Sequence, residues 1–236
     1  MSDHNHSAQT HSEATGEQGR SAIPVDPVDM HDIRIEVAGA ARLAIAHLND
    51  APQTEDALAE AGRLFSEIAA LLDRGSPLGP KQWRTDTEPG FDTFFRFDPF
   101  MGEYNPIAPP ARLRYEGGEV HGTVSCSPAY EGPPGHVHGG IVAGIFDQLL
   151  GFANCSFEHL GMTAHLDVDY LAPTPLMTEL TLVARPAEVD GRKLVVEGWI
   201  SAGTTVTAKA RGLFIQPRPG MLAAAVAPRT EGPPRS

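Results

Sequence analysis

From Ile141 to Ala153 the only polar side chains are Asp147 and Gln148. A helix with almost no solvated face must lie buried against a sheet, which narrows the folds open to this chain. The charge at Asp147 narrows them further. An unpaired buried carboxylate costs several kcal/mol, so this one must be paired, neutral, or turned toward a wet cleft. On the same helix face lie Ala143, Gly144, Leu150 and Gly151. A glycine inside a helix costs about 1 kcal/mol relative to alanine. Two of them beside Asp147 point to something that approaches closely there, or to tight helix-to-sheet packing around a carboxylate that serves a backbone N–H.

The helix is entered through Gly135-His136-Val137-His138-Gly139-Gly140. The first N–H groups of a helix have no partner within it, and paired glycines let a ligand come near them. Such donors polarise a carbonyl or hold an oxyanion, and Asp147 can supply a base. His136 and His138 form an H-x-H pair without a third ligand in sequence, so no metal is expected.

Around this helix the pattern is that of short strands and tight turns. Ala111 to Tyr115 and Glu119 to Ser125 flank Gly117-Gly118. After the helix come Thr163 to Leu171, Glu179 to Glu188, Lys193 to Ala202 and Thr205 to Ile215, the last three joined at Asp190-Gly191 and Gly203-Thr204. Strands joined by tight turns are antiparallel, so the layout is α+β, with a sheet wrapped around one apolar helix.

Upstream, Ile33, Val37, Ala41, Ala44 and Leu48 follow helical spacing, as do Leu58, Ala61, Phe65, Ile68 and Leu72. This predicts a helical hairpin over 31–75, with Thr54 as N-cap and Gly75 as stop, whose apolar stripes dock on the domain that follows. Residues 76–110 carry Pro, Gly and the aromatics Trp83, Phe91, Phe94, Phe95, Phe97, Phe100 and Tyr104, and read as an ordered linker or lid packed on the domain at 111–217. The aromatics could also line an acyl pocket. Residues 1–30, with His4, His6 and His11, and residues 218–236 read as disordered tails.

The formal net charge is −12, and the 18 Lys and Arg residues form no run, which argues against nucleic acid as a partner. Cys126 and Cys155 have no metal-ligand spacing and read as reduced thiols. No stretch resembles a secretory signal or a membrane span, so a cytoplasmic protein without membrane partners is expected.

The order strand, strand, His-Gly-Gly helix, four strands resembles the hotdog fold, and the motifs resemble its thioesterase superfamily, in the branch of phenylacetate-degradation and acyl-CoA thioesterases. The resemblance covers about residues 92–216. It rests on His138-Gly139-Gly140, Asp147, Thr163, Tyr170-Leu171-Ala172-Pro173-Thr174-Pro175-Leu176 and the Asp190-Gly191-Arg192 hairpin. It implies hydrolysis of an acyl-CoA to free acid and CoA, with CoA as part of the substrate and no further cofactor, in fatty acid metabolism. It also implies a homodimer or dimer of dimers with the site at the subunit interface. Matched position by position, Asp147 becomes general base or nucleophile, and the Gly139 and Gly140 N–H groups polarise the thioester carbonyl. His138 shapes the loop or contacts the thioester, and Thr163 positions water or substrate. No CoA-contacting residue carries over, and Arg192, Lys193 and Arg211 read as solvated surface cations. Two other activities stay open on this reading: a hotdog protein that binds acyl-CoA or another apolar ligand without turnover, and an acyl thioester hydratase or dehydratase. Acyl chain length is not set.

Overall fold

A computed structural model describes residues 30–50, 52–73, 95–157 and 159–218. Gly117 and Gly118 both adopt positive φ, 62° and 85°, which only glycine accepts without strain, and this turn closes the first hairpin of the sheet. It joins β1 (Arg112–Glu116) to β2 (Glu119–Ser125), which pair antiparallel. A short 3-10 turn at Pro128–Tyr130 leads through the Gly/Pro loop into the central helix, Gly139–Ser156. After it come β3 (Met162–Tyr170), β4 (Glu179–Asp190), β5 (Lys193–Ala202) and β6 (Thr205–Ile215). They complete an antiparallel six-stranded sheet in the order β1-β2-β4-β5-β6-β3. The expected turns at Asp190-Gly191 and Gly203-Thr204 join the last three strands.

The sheet curves around the helix because one face of each central strand is apolar and inward. Leu180, Leu182 and Ala184 on β4 and Leu194, Val196 and Ile200 on β5 are buried against Ile145, Phe146, Leu149 and Leu150 of the helix. Two sheet glycines make room for one side chain. A Cβ at Gly198 would lie 2.8 Å from one Leu150 methyl, and a Cβ at Gly212 would lie 3.0 Å from the other. The antiparallel sheet around a central helix is the hotdog fold that the motif order predicts.

Two helices precede it: α1 (Met30–Asp50) and α2 (Glu55–Leu72). The central helix is α3. Thr54 caps α2 as expected, accepting from the Ala57 N–H at 3.2 Å, while Gly75 lies outside the described residues, as do His4, His6, His11, Trp83, Phe91 and Phe94.

The predicted docking stripes are corrected by the structure. Ile33, Val37 and Leu48 are exposed, and no residue of α2 is buried. Ala41 and Ala44 of the α1 stripe are half-buried, and α1 docks through a face that joins Ala38 to two arginines. Arg42 donates to the Glu103 carbonyl at 3.2 Å and the Asn105 carbonyl at 3.0 Å, the Arg34 guanidinium lies over the Phe97 and Tyr104 rings, and Ala38, one turn from each arginine, is buried. The physical reason lies in the partner. The surface α1 meets is a turn that presents carbonyls and ring faces, and these attract guanidinium groups more strongly than they attract Val or Leu.

Candidate active site

The start of α3 is built by three strips of backbone. The His138 N–H donates to the Tyr130 carbonyl at 2.9 Å, the Val137 N–H to the Thr174 carbonyl at 2.8 Å, and the Leu176 N–H to the Gly135 carbonyl at 3.1 Å. The segment after β3 therefore pins the loop before α3. This explains why the Tyr170–Leu176 run and the His-Gly-Gly run belong together, although they are distant in sequence. A Cβ at Gly132 would lie 2.7 Å from the His138 Cα, so the loop folds tightly back on the residue that opens the helix.

His138 is the N-cap. Its Nδ1 accepts from the Gly140 N–H at 2.9 Å, so that donor is already satisfied. This corrects the expectation that Gly139 and Gly140 both polarise a substrate carbonyl. The Gly139 N–H, by contrast, makes no hydrogen bond among the described residues. His136 stands apart from the helix entrance, its Nδ1 donating to the Pro134 carbonyl at 2.8 Å.

Asp147 is half-buried, on the side of α3 that faces β3. Its Oδ1 accepts from the Thr163 hydroxyl at 3.0 Å. A β-bulge between Thr163 and His165 interrupts the pairing of β3 with β6 beside this contact. Bulges re-aim side chains in this way. The two glycines flanking Asp147 behave differently. A Cβ at Gly144 would lie 2.3 Å from the Phe100 ring, whereas a Cβ at Gly151 would meet nothing within 4 Å among the described residues. The cost of placing glycine in the helix is thus explained at Gly144 by the close approach of an aromatic ring.

Tyr170 carries a role that sequence reasoning missed. Its hydroxyl donates to the Gly139 carbonyl at 2.8 Å, and its ring lies 3.5 Å from where a Gly139 Cβ would be. The motif named this tyrosine, but a hydroxyl reaching backbone 31 residues away leaves no trace in spacing.

Gly139 and Asp147 do not converge within one chain. Eight residues of α-helix put about 12 Å of rise between them. The tilt of the aspartate side chain toward the helix N-terminus recovers only about 3 Å of that. A donor must lie about 3 Å from an oxyanion to stabilise it.

Neither cysteine is in a disulfide. Burial pushes the Cys126 thiol up to about 12 and raises that of Cys155. Of the surface cations, Arg192 donates to the Gln216 carbonyl at 2.7 Å and Arg211 pairs with Glu188 at 2.8 Å. Among the described residues no helix is long and apolar enough to cross a membrane.

Residues 134–209 match the model of the thioesterase superfamily. The interval runs from the loop before α3 into β6. A crystal structure of RHA08564, a thioesterase superfamily protein, superposes with a TM-score of 0.69 at 34% identity, covering 78% of this chain and 90% of that one. Such a span is too long to fit within residues 95–236, so the likeness reaches into the amino-terminal region. Acyl-coenzyme A thioesterase THEM4 of Rattus norvegicus is 38% identical over 89 residues, and that of Xenopus laevis 33% over 91. These matches take in 36% and 38% of this chain and 38% and 41% of the relatives. The chain therefore spans about two-fifths of the length of the curated relatives it matches.

Proposed function

The chain belongs to the thioesterase superfamily, and from that premise we propose that it hydrolyses an acyl-CoA thioester to the free acid and CoA. The single observation that carries this reading is the pair of groups on α3: a Gly139 N–H with no partner among the described residues at the helix entrance, and a half-buried Asp147 carboxylate held by Thr163. A thioester needs one oxyanion donor and one base, and here both are fixed to a single rigid element. THEM4, whose name states acyl-CoA thioesterase activity, supports the substrate class.

The distance along α3 bears on assembly. One chain cannot bring its own Gly139 and Asp147 to one carbonyl, but two α3 helices running antiparallel about a two-fold axis can, the glycine of one meeting the aspartate of its partner. Gly144 is covered by Phe100 of the same chain, so the small residues left beside Asp147 are Ala143 and Gly151, and it is there that a second helix and a substrate can come close. β3 ends the strand order, so its outer edge is unpaired among the described strands, and it exposes Met162 and Tyr170. Such an edge suits pairing with its own copy. The protein is read as a homodimer, or a dimer of dimers, with two sites shared across the two-fold axis.

In the reaction, the carbonyl carbon of the thioester lies between the Gly139 N–H of one protomer and the Asp147 of its partner. Asp147 takes a proton from water, the resulting hydroxide attacks the carbonyl carbon, and the oxyanion is held by the Gly139 N–H. Collapse breaks the C–S bond, and the CoA thiolate leaves with the proton that Asp147 took from water, which restores the carboxylate. Thr163 holds the carboxylate rotamer, His138 holds the loop, and Tyr170 holds the Gly139 peptide. The free thiols at Cys126 and Cys155 fit a reducing compartment, read here as the cytoplasm.

The test is thiol release by the purified protein from short, medium, long-chain and aryl acyl-CoA, with Asp147→Ala beside it. Release that vanishes in the variant supports the reading. Tight acyl-CoA binding without release would replace hydrolysis by binding, and a variant as active as the parent would remove Asp147 from the chemistry.

A further inference from the structure

On α3 the backbone beside Asp147 is bare at two places, Gly144 one turn before it and Gly151 one turn after, and among the described residues only the first is covered. The Phe100 ring lies directly on Gly144, its Cδ1 and Cε1 each 2.3 Å from where a Cβ would stand. Phe100 is held firmly in place. Its N–H donates to the Asp98 Oδ1 at 2.7 Å, which also accepts from the Met101 N–H at 3.0 Å, and Asp98 itself is buried. Gly102 closes the turn so tightly that a Cβ there would lie 2.5 Å from the Arg96 carbonyl oxygen. On one side, Phe95 packs edge-on against Phe152 of α3. On the other, Arg42 of α1 donates to the Glu103 and Asn105 carbonyls, and Arg96 joins the Tyr104 hydroxyl to His31 of α1. The amino-terminal helix thus braces the turn that presents Phe100.

From this we propose that Phe100 is a specificity-determining residue: it walls the acyl groove at Gly144, so that a straight acyl chain runs past Asp147 toward the open Gly151 side and a ring or branch near the thioester is excluded. The inference rests on the acyl-CoA reading above and adds to it the shape of the acyl group. An aromatic ring on a glycine removes space next to the reacting carbonyl and leaves the other direction clear. Size differences in apolar pockets of this kind change selectivity about 10–200-fold.

The experiment uses the full-length protein and two thioethers that cannot be hydrolysed, S-hexyl-CoA and S-(2-phenylethyl)-CoA, with affinities read by titration calorimetry. The wild type is expected to favour the hexyl ligand. Phe100→Ala is expected to tighten the phenylethyl ligand by about tenfold relative to the hexyl one, and Phe100→Leu, which keeps more of the packing, to shift the ratio in the same direction by less. Gly144→Ala, whose new methyl would displace the ring, is expected to shift the ratio likewise. A wild-type preference for the phenylethyl ligand, or a ratio unchanged in both folded Phe100 variants, overturns the proposal. Thiol release is measured in parallel from hexanoyl-CoA and phenylacetyl-CoA. A shifted binding ratio in a protein that releases no thiol would sustain the wall at Phe100 and overturn hydrolysis alone.

Discussion

The Thr163 hydroxyl donates to Asp147 Oδ1 over 3.0 Å, tying the start of β3 to the middle of α3. Asp147 is half-buried and Thr163 exposed, so the carboxylate is oriented without being shut away from water. A carboxylate needed only for the fold would satisfy buried donors, and its removal would leave them unpaired at a cost of about 1–3 kcal/mol each. Here the donor is a hydroxyl that solvent can satisfy. Loss of Asp147 is therefore expected to cost little stability, so a variant reads out its proposed part in the chemistry.

The first prediction concerns that bond. Thr163→Val keeps the β-branched shape but removes the donor, and kcat for thiol release should fall about tenfold with KM changed less than about threefold. Thr163→Ser should restore most of the rate. A Thr163→Val enzyme with unchanged kcat would show that Asp147 holds its rotamer without help.

A second prediction separates the Tyr170 hydroxyl from its ring. Tyr170→Phe leaves the ring against Gly139 but frees the Gly139 carbonyl, which loosens the peptide plane next to the proposed donor. Net hydrogen-bond contributions of about 0.5–1.5 kcal/mol imply a fall in kcat of roughly 2- to 12-fold. Because the bond is exposed, Tm should move by less than about 4 °C. A large drop in Tm with kcat intact would assign the hydroxyl to stability alone.

Strands and turns were legible because their signals are local. Alternation in β4 and β5 and the Gly-containing turns act within a few residues, and the strand boundaries expected for Glu119–Ser125, Lys193–Ala202 and Thr205–Ile215 agree with those observed. The helix bearing Asp147 was legible for the same reason. Other features were not: some depend on a partner far along the chain, as the Tyr170 hydroxyl depends on the Gly139 carbonyl, and one depends on a side-chain rotamer. Arg42 docks α1 because carbonyls of residues 103 and 105 await it, and no periodicity in α1 announces them. Gly140 loses its donor to His138, a matter of rotamer rather than of spacing. The cost of Gly144 signalled a close neighbour, but that the neighbour is Phe100, 44 positions upstream, follows only from the folded turn.

The third prediction is alkaline. Burial pushes Cys126 from 9.0 up to about 12, and Tyr130 from 10.0 to about 12 through burial first and the neighbouring Cys126 second, with Arg42 opposing. Raised values mean that the folded protein keeps both protons where the unfolded chain gives them up. Stability is then whole below about pH 9 and declines between pH 9 and 12, at up to about 1.4 kcal/mol per pH unit for the buried Cys126 and by less for the half-buried Tyr130, which solvent screens. Urea midpoints at constant salt from pH 8 to 11 check this, and Cys126→Ala should remove the part that begins near pH 9. A midpoint that stays level to pH 11 contradicts it.

The fourth prediction tests whether a site is shared between protomers. Gly139→Pro removes the N–H that is proposed to hold the oxyanion, and the local backbone accepts it. Gly139 is the first residue of α3, where proline is tolerated. His138 before it lies at φ −60° and ψ 133°, the extended conformation a following proline requires. The nearest neighbour of a new Cβ is the Tyr170 ring at an ordinary 3.5 Å. Gly139→Pro should fold and assemble yet lose about 100-fold or more in kcat, as should Asp147→Asn through loss of the base. When the two inactive variants are unfolded together in equal amounts and refolded, random pairing makes half of the dimers mixed. In a mixed dimer one site carries both lesions and the other carries neither, so about a quarter of wild-type activity should return. If both groups of a site came from one chain, every site would carry one lesion and no activity would return. The 12 Å of helix rise between Gly139 and Asp147 predicts the first outcome.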